Sequence, residues 1–336
     1  MAAHTPLTLD FVTLDVFTST RFLGNPLAVV FIPPALRDRI AQDTKQRIAR
    51  EFNLSETVFL HAPSNETPPT TTTALEIDIF TPEEELPFAG HPTIGTAYLV
   101  QHHLGWRHIT ALLTKAGPIP ISSPSPGQVR AAIPHAVHVH QRTLGALLSA
   151  PFSSAVVQET IAAGLSADAA IRAAELAAPV VSIVRGMTFL LVRLPSLEHL
   201  ARAAPVNRMD FGRIAASATA SAGNGNGDGL LDEGEWAGGF VARYYYVLLD
   251  EGEEKKKIRT RMVELGFEDP ATGSAACTLA SYLAGAGAAR FEMTQGVEMG
   301  RASDIAVEVV VGGENAVEEV YLGGTAVVVM SGSISV

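Results

Sequence analysis

The chain has 336 residues, 47% hydrophobic and 18% charged, a composition that describes a soluble globular protein long enough for two domains with a core each. Its 24 Lys and Arg against 35 Asp and Glu give a formal charge of −11, which argues against nucleic acid as a partner, because phosphate binding needs a concentrated basic surface. The only cysteine, Cys277, excludes an intrachain disulfide and points to a reducing compartment. No basic segment followed by an apolar core marks "MAAHTPLTLDFV" as a signal peptide, and no apolar run approaches the ~20 residues of a membrane span, so a cytoplasmic protein without a membrane partner is expected. The densest basic run, Lys255 to Lys257 with Arg259 and Arg261, lies beside Glu251, Glu253 and Glu254 and reads as a solvated loop.

In chain order, "LTLDFVTLDVF" has strand composition, and "PLAVVFI" follows a Gly24-Asn25-Pro26 turn as its hairpin partner. Leu36, Ile40, Ile48 and Phe52 recur at multiples of four and predict one amphipathic helix. "SETVFLHA" reads as a strand, and in "ALEIDIF" Leu75, Ile77 and Ile79 alternate with Glu76 and Asp78, so one face is buried and one is wet. "TIGTAYLVQHHLG" is apolar enough for a mostly buried helix, with Pro92 in its first turn and His91 at or near its N-cap. Short strand-like runs from Ile119 to His140, broken by Pro118, Pro120, Pro124, Pro126 and Pro134, make that region the expected domain boundary. "PVVSIVRGMTFLLVRL" predicts two strands around Gly186, "SLEHLARAAP" a short helix, "FVARYYYVLL" a strand and "SAACTLASYLAG" a helix. "AVEVVVGG" and "AVVVMSGSI" predict the closing strands. Strands mixed with few helices indicate an α+β fold.

"GTAYL" ending at Leu99 and "LASYL" ending at Leu283 each close the second turn of a small-residue helix that follows a Gly-containing loop. This echo predicts two matched halves, each presenting a helix N-terminus whose free N–H groups can bind an anion without Lys or Arg.

Three short stretches carry candidate chemistry. In "NLSETVFL", burial of Glu56 would raise its pKa and make it a proton carrier near neutral pH, whereas a solvent-facing acid, or a cap paired with Asn53 or Ser55, is the simpler local reading. His91 in "ELPFAGHPTIG" can donate to a substrate oxygen or serve only as a helix cap. In "EDPATGSAA", Asp269 precedes Gly273 and Ser274, which offer N–H groups and a hydroxyl; the alternative is an Asx-Pro turn feeding an N-cap serine. Two other patterns carry less. "NGNGDGLLDEGE" fits a calcium-loop template at Asn224, Asn226, Asp228, Gly229 and Glu235, but a strand follows where a second helix is required, so a Gly/Asn-rich insertion near 220–237 is expected. In "HAVHVH", His138 and His140 share a strand face while His135 points away, which leaves an incomplete ligand set on an exposed strand. No metal is expected.

Taken together and in order, "NLSETVFL", "ELPFAGHPTIGTA", "FEDPATGSAA" and "QGVEMGR" resemble the phenazine-biosynthesis (PhzF-like) isomerase family, a branch of the diaminopimelate-epimerase fold. The resemblance runs from "DVFTSTRFLGNPLAVV" to "GGTAVVVMSGSI". It implies two similar lobes, each a curved, mostly antiparallel sheet wrapped around a central helix, with the active site in the cleft between them. The lobes would be residues 1–130, completed by about 320–336, and 131–319. It also implies a cofactor-independent isomerase, a homodimer, acting on a small anionic, carboxylate-bearing metabolite. Glu56, His91 and Asp269 would be catalytic, and Gly90, Gly273 and Ser274 would bind substrate. Racemases of this fold use two opposed cysteines at the helix entrances; here those entrances carry Gly90-His91 and Gly273-Ser274. Cys277 lies a helical turn further in and reads as core, which disfavours a two-base racemase or epimerase. The other alternative is a non-catalytic binding protein of the same fold.

Overall fold

The computed structural model describes residues 7–63, 71–151, 153–203, 209–215, 229–252, 255–264, 267–284, 287–313 and 316–336. The chain divides into two compact units. One comprises Met1–Ile133, Ser303–Ile305 and Tyr321–Val336, the other Pro134–Ala302 and Ala306–Val320.

In the first unit, β1 (Thr8–Val16) pairs antiparallel with β2 (Asn25–Ile32), Val16 opposite Asn25. A 3₁₀ turn (Pro34–Arg39) and α1 (Gln42–Phe52) cross over to β3 (Thr57–His61), which lies parallel to β2. β4 (Ala74–Phe80) is antiparallel to β3, and β5 (Glu85–Leu86) folds back on β4. Next come α2 (Gly90–Tyr98), a π-helical turn over Leu99–His103, and β6 (Ala111–Thr114), parallel to β4. β7 (Gly117–Ser125) and β8 (Gln128–Ala132) continue as antiparallel neighbours.

The second unit repeats this grammar. It opens with β9 (His138–Val139) and three helices, α3 (Leu144–Ser149), α4 (Ala155–Gly164) and α5 (Ala169–Ala177). β10 (Val180–Val184) and β11 (Gly186–Arg193) are antiparallel. After α6 (Leu197–Arg202) and α7 (Phe211–Ile214), β12 (Gly239–Glu251) lies parallel to β11. β13 (Lys255–Glu264) is antiparallel to β12, β14 (Phe267–Asp269) folds back on β13, and α8 (Gly273–Leu283) leads to β15 (Gly287–Gln295), parallel to β13. The order antiparallel, parallel, antiparallel, then helix and parallel strand is thus common to both units, which is the signature of a duplicated α+β element. β16 (Ser303–Val311) and β17 (Val317–Gly324) follow; β17 pairs with β8, and the last strand, β18 (Ala326–Ser335), pairs with β1 in register Thr8 to Ser335.

Each unit wraps its strands around one helix. Every residue of α2 from His91 to Ala97 is buried, and the helix packs on β1, β2, β3 and β8. A Cβ on Gly95 would come within 2.5 Å of Leu27 Cδ2 and 2.7 Å of Val16 Cγ2, so the small residue sets how closely helix and sheet approach. α8 buries Gly273 and Ala275 to Ser281 against β10, β11 and β15. Small residues in both helices therefore reflect close packing on all sides rather than an amphipathic stripe.

Two expectations are corrected. The apolar series Leu36, Ile40, Ile48, Phe52 is split, because Ala41 is extended (φ −70°, ψ 160°) and separates the 3₁₀ turn from α1. All four residues still reach one core with Leu9, Val30, Ile32, Phe59 and Phe80, where each buried aliphatic contributes roughly 1.5–3 kcal/mol. The basic run is not a loop: Lys255, Lys256, Lys257, Arg259 and Arg261 lie in β13. Lys257 faces Asp250 across the ladder, and Arg261 is bound twice by Glu268, at 2.8 Å each, while its Nη1 donates to the carbonyls of Leu200 and Ala201. The Glu268 carboxylate on the neighbouring strand β14 lets β13 carry the buried Arg261 charge.

Candidate functional site

In the first unit, α1 ends at Asn53, which adopts a left-handed conformation (φ 50°) and turns the chain sharply into Leu54, Ser55 and Glu56. Glu56 immediately precedes β3, and its side chain is only 17% exposed. Its Oε2 is buried and accepts no hydrogen bond among the described residues. Burial pushes the Glu56 carboxyl up to about 7, an effect the Ser55 hydroxyl partly offsets. The solvent-facing reading of this acid therefore does not hold.

His91 is the second residue of α2, after Gly90, and the N-cap is Ala89, which supplies no side-chain cap. The His91 ring is not spent on capping either. Its Nδ1 lies 3.5 Å from Glu56 Oε2 and 3.4 Å from Asn25 Nδ2, and Asn25 is itself buried at the start of β2. The Gly90 and His91 N–H groups belong to the first helical turn, where no intrahelical acceptor exists.

In the second unit, Asp269 ends β14 and Thr272, not Ser274, is the N-cap of α8. Asp269 Oδ1 accepts from the Ala271 N–H (3.4 Å) and Oδ2 from the Thr272 hydroxyl (2.6 Å), so the acid does shape the turn. Gly273 and Ser274 are the first two residues of α8, as Gly90 and His91 are of α2, so their N–H groups have no intrahelical acceptor. Thr278 donates to the Ser274 carbonyl, while the Ser274 hydroxyl makes no hydrogen bond among the described residues. Cys277 is buried one turn further in, and burial pushes its thiol well above the ordinary range.

The structure thus brings Glu56, His91 and Asn25 together in one unit, and Asp269, Thr272, Gly273 and Ser274 in the other. Sequence reasoning missed Asn25, read only as part of a turn, and Gln295, whose amide reaches both Asp269 and Thr272.

Other polar clusters lie elsewhere. His140 is buried rather than on an exposed strand: its Nδ1 accepts from the Asp232 N–H (2.9 Å) and its Nε2 meets the Ser182 hydroxyl (2.9 Å). His138, stacked on Trp236, pairs with Asp232 at 2.8 Å. The three ligand-type groups converge, but both His140 nitrogens are engaged. Burial favours the neutral ring and pushes His140 down to about 4. At a second cluster, Asp78 Oδ2 takes both Lys45 Nζ (2.5 Å) and His61 Nε2 (2.8 Å), so an ammonium stands where a cation would bind. Of the calcium-loop positions, Asn224, Asn226 and Asp228 lie outside the described residues, and Glu235 pairs with Arg185 at 2.7 Å. A cavity of about 350 Å³ in the second unit is lined by Ser166, Asp168, Glu175, Arg202 and Arg243 among others, and by none of the expected site residues.

Comparison with known proteins identifies the family. The family model for phenazine biosynthesis-like proteins (PhzC-PhzF) matches residues 14–228 and 248–332. An uncharacterised isomerase of Mesorhizobium japonicum is 33% identical over 97% of this chain and 99% of its own length. The trans-2,3-dihydro-3-hydroxyanthranilate isomerase of Pseudomonas fluorescens is 31% identical over 88% of each chain. Among solved structures, the PhzF-family protein of Bacillus anthracis superposes with a TM-score of 0.66 over 98% of this chain and all of its own, at 19% identity, and shares the fold. No helix among the described residues is long and apolar enough to cross a membrane. The chain belongs to the phenazine biosynthesis-like (PhzF) family, whose named relatives here are isomerases.

Proposed function

We propose that this protein is a cofactor-independent isomerase that moves a proton, and with it a double bond, on a small carboxylate-bearing metabolite. Glu56 is the proton carrier, and the observation that carries the reading is its buried carboxyl, raised to about 7 and 3.5 Å from His91. A carboxyl poised there exists in both protonation states at neutral pH, so it can take a proton from one carbon and return it to another. His91 orients that carboxyl and donates to the substrate. The N–H groups of Gly273 and Ser274 take the substrate carboxylate, those of Gly90 and His91 stabilise the delocalised anion, and Asp269 accepts from a substrate hydroxyl or amine. Relatives named for trans-2,3-dihydro-3-hydroxyanthranilate make that compound the first to assay. The same reading makes the protein cytoplasmic and homodimeric.

The test is solvent-deuterium incorporation during turnover of trans-2,3-dihydro-3-hydroxyanthranilate. Wild type should incorporate deuterium, and Glu56→Gln should lose incorporation by orders of magnitude while staying folded, because an amide cannot accept the proton. Equal incorporation by the variant would remove Glu56 from the chemistry.

A further inference from the structure

The "QGVEMGR" motif has no role in the proton transfer above, yet it is built directly against the "EDPATGS" turn. Gln295 is completely buried and makes four hydrogen bonds. Its Nε2 donates to the Asp269 carbonyl (2.8 Å) and the Thr272 hydroxyl (3.0 Å); its Oε1 accepts from the Thr272 N–H (3.3 Å) and the Tyr244 hydroxyl (2.9 Å). Two of these partners are backbone groups, and they decide the amide's orientation. A carbonyl can only accept and an N–H can only donate, so exchanging the oxygen and nitrogen of Gln295 would break both. With Nε2 fixed toward Thr272, the Thr272 oxygen receives a proton and must send its own onward, and the acceptor in reach is Asp269 Oδ2 at 2.6 Å. With Oε1 fixed as acceptor, Tyr244 donates. Its phenol is buried and keeps its proton, and the Thr260 hydroxyl, 3.0 Å away, completes its bonding. Gly296 (φ +73°) then turns the chain so tightly under Pro270 that a Cβ would lie 2.7 Å from the Pro270 carbonyl oxygen.

We propose that Gln295 is a positioning residue: it holds a one-way chain of donors, Tyr244 to Gln295 to Thr272 to Asp269, that fixes the Asp269 carboxylate in a single orientation for the reaction. The inference rests on the reading of Asp269 as a site residue. Merely structural bonding at Gln295 would make activity follow stability; a positioning chain makes activity follow the Thr272 hydroxyl.

The test compares full-length Thr272→Val, nearly the same shape without the hydroxyl, with Thr272→Ser, which keeps it, and with Gln295→Met. On trans-2,3-dihydro-3-hydroxyanthranilate, Thr272→Val and Gln295→Met should lose at least about tenfold in kcat with KM within about threefold, and Thr272→Ser should stay within about threefold of wild type. A crystal structure of Thr272→Val gives a readout that needs no substrate: the Asp269 carboxylate should leave its wild-type rotamer. An unchanged rotamer overturns the chain whatever the turnover, and so does a Thr272→Ser variant as impaired as Thr272→Val. If wild type does not turn this compound over, the proposed function loses its first substrate while the rotamer comparison still decides the role of Gln295.

Discussion

Oε2 of Glu56 sits 3.5 Å from Nδ1 of His91, and the two side chains reach each other from a loop after α1 and the first turn of α2. The burial that creates this contact also raises the Glu56 carboxyl to about 7, and a shifted titration has a consequence for stability as well as for catalysis.

Between its ordinary value of 4.5 and about 7, Glu56 binds a proton in the folded state that the unfolded chain has released. Stability is therefore highest below about pH 4.5 with respect to this group and falls as pH rises through 7. The full swing is on the order of 3 kcal/mol. Glu56→Gln, which is never charged, should gain melting temperature relative to wild type at pH 8 and lose that advantage at pH 5. Parallel melting curves for the two proteins across that range would refute the shift.

Asp269 separates two roles by substitution. Asp269→Ala loses the acceptor of both the Ala271 N–H and the Thr272 hydroxyl and should cost about 1–2 kcal/mol, as a lost cap does. Asp269→Asn keeps one acceptor oxygen, so its stability should stay within about 1 kcal/mol while turnover falls strongly. Full turnover of Asp269→Asn would leave the acid a turn former and nothing more.

Cys277 should be chemically silent. Cys277→Ala is expected to keep wild-type turnover and lose about 1 kcal/mol or less, since a small buried residue is replaced by a slightly smaller one. In the native protein the thiol should resist a disulfide reagent and react only after unfolding. Rapid native labelling with loss of activity would bring thiol chemistry back.

The buried pair Glu175–Arg243 gives a prediction about the second unit's stability. Glu175 Oε1 accepts from Arg243 (3.0 Å) and Tyr245 (2.6 Å), and its Oε2 from the Ser166 N–H (2.8 Å). Glu175→Ala strands the Arg243 charge in the interior and should cost about 3–5 kcal/mol by denaturant unfolding. A loss under 1 kcal/mol would mean water or another group reaches Arg243.

Much of the fold is legible where local pattern and packing agree. "ALEIDIF" alternates because Leu75, Ile77 and Ile79 face the core, and Lys45 and His61 explain how Asp78 tolerates its half-buried place. The helices α3 to α5 are hard to read locally because each is short and turns only one or two bulky apolar residues inward, Leu144 and Leu147, Val157 and Ile161, and Ile171, within alanine-rich sequence. β13 is hidden by its charges, whose neutralising partners, Glu268, Glu292 and Glu298, come from other segments. The candidate site divides the same way. Motifs single out Glu56, His91, Asp269, Gly273 and Ser274, but the burial of Glu56 and the bond from Gln295 to a residue 26 positions earlier leave no local trace.

The pairing of β1 with β18 places an order on synthesis. β1 leaves the ribosome long before the strand that covers its second edge, Ala326–Ser335. Throughout translation β1 has β2 on one side and an open row of N–H and C=O groups on the other, the kind of edge that recruits foreign strands. The unit that starts first therefore closes last, while the stretch from β9 to β15 can pair its strands with one another earlier. The second edge of β1 is thus covered only once β18 has been made.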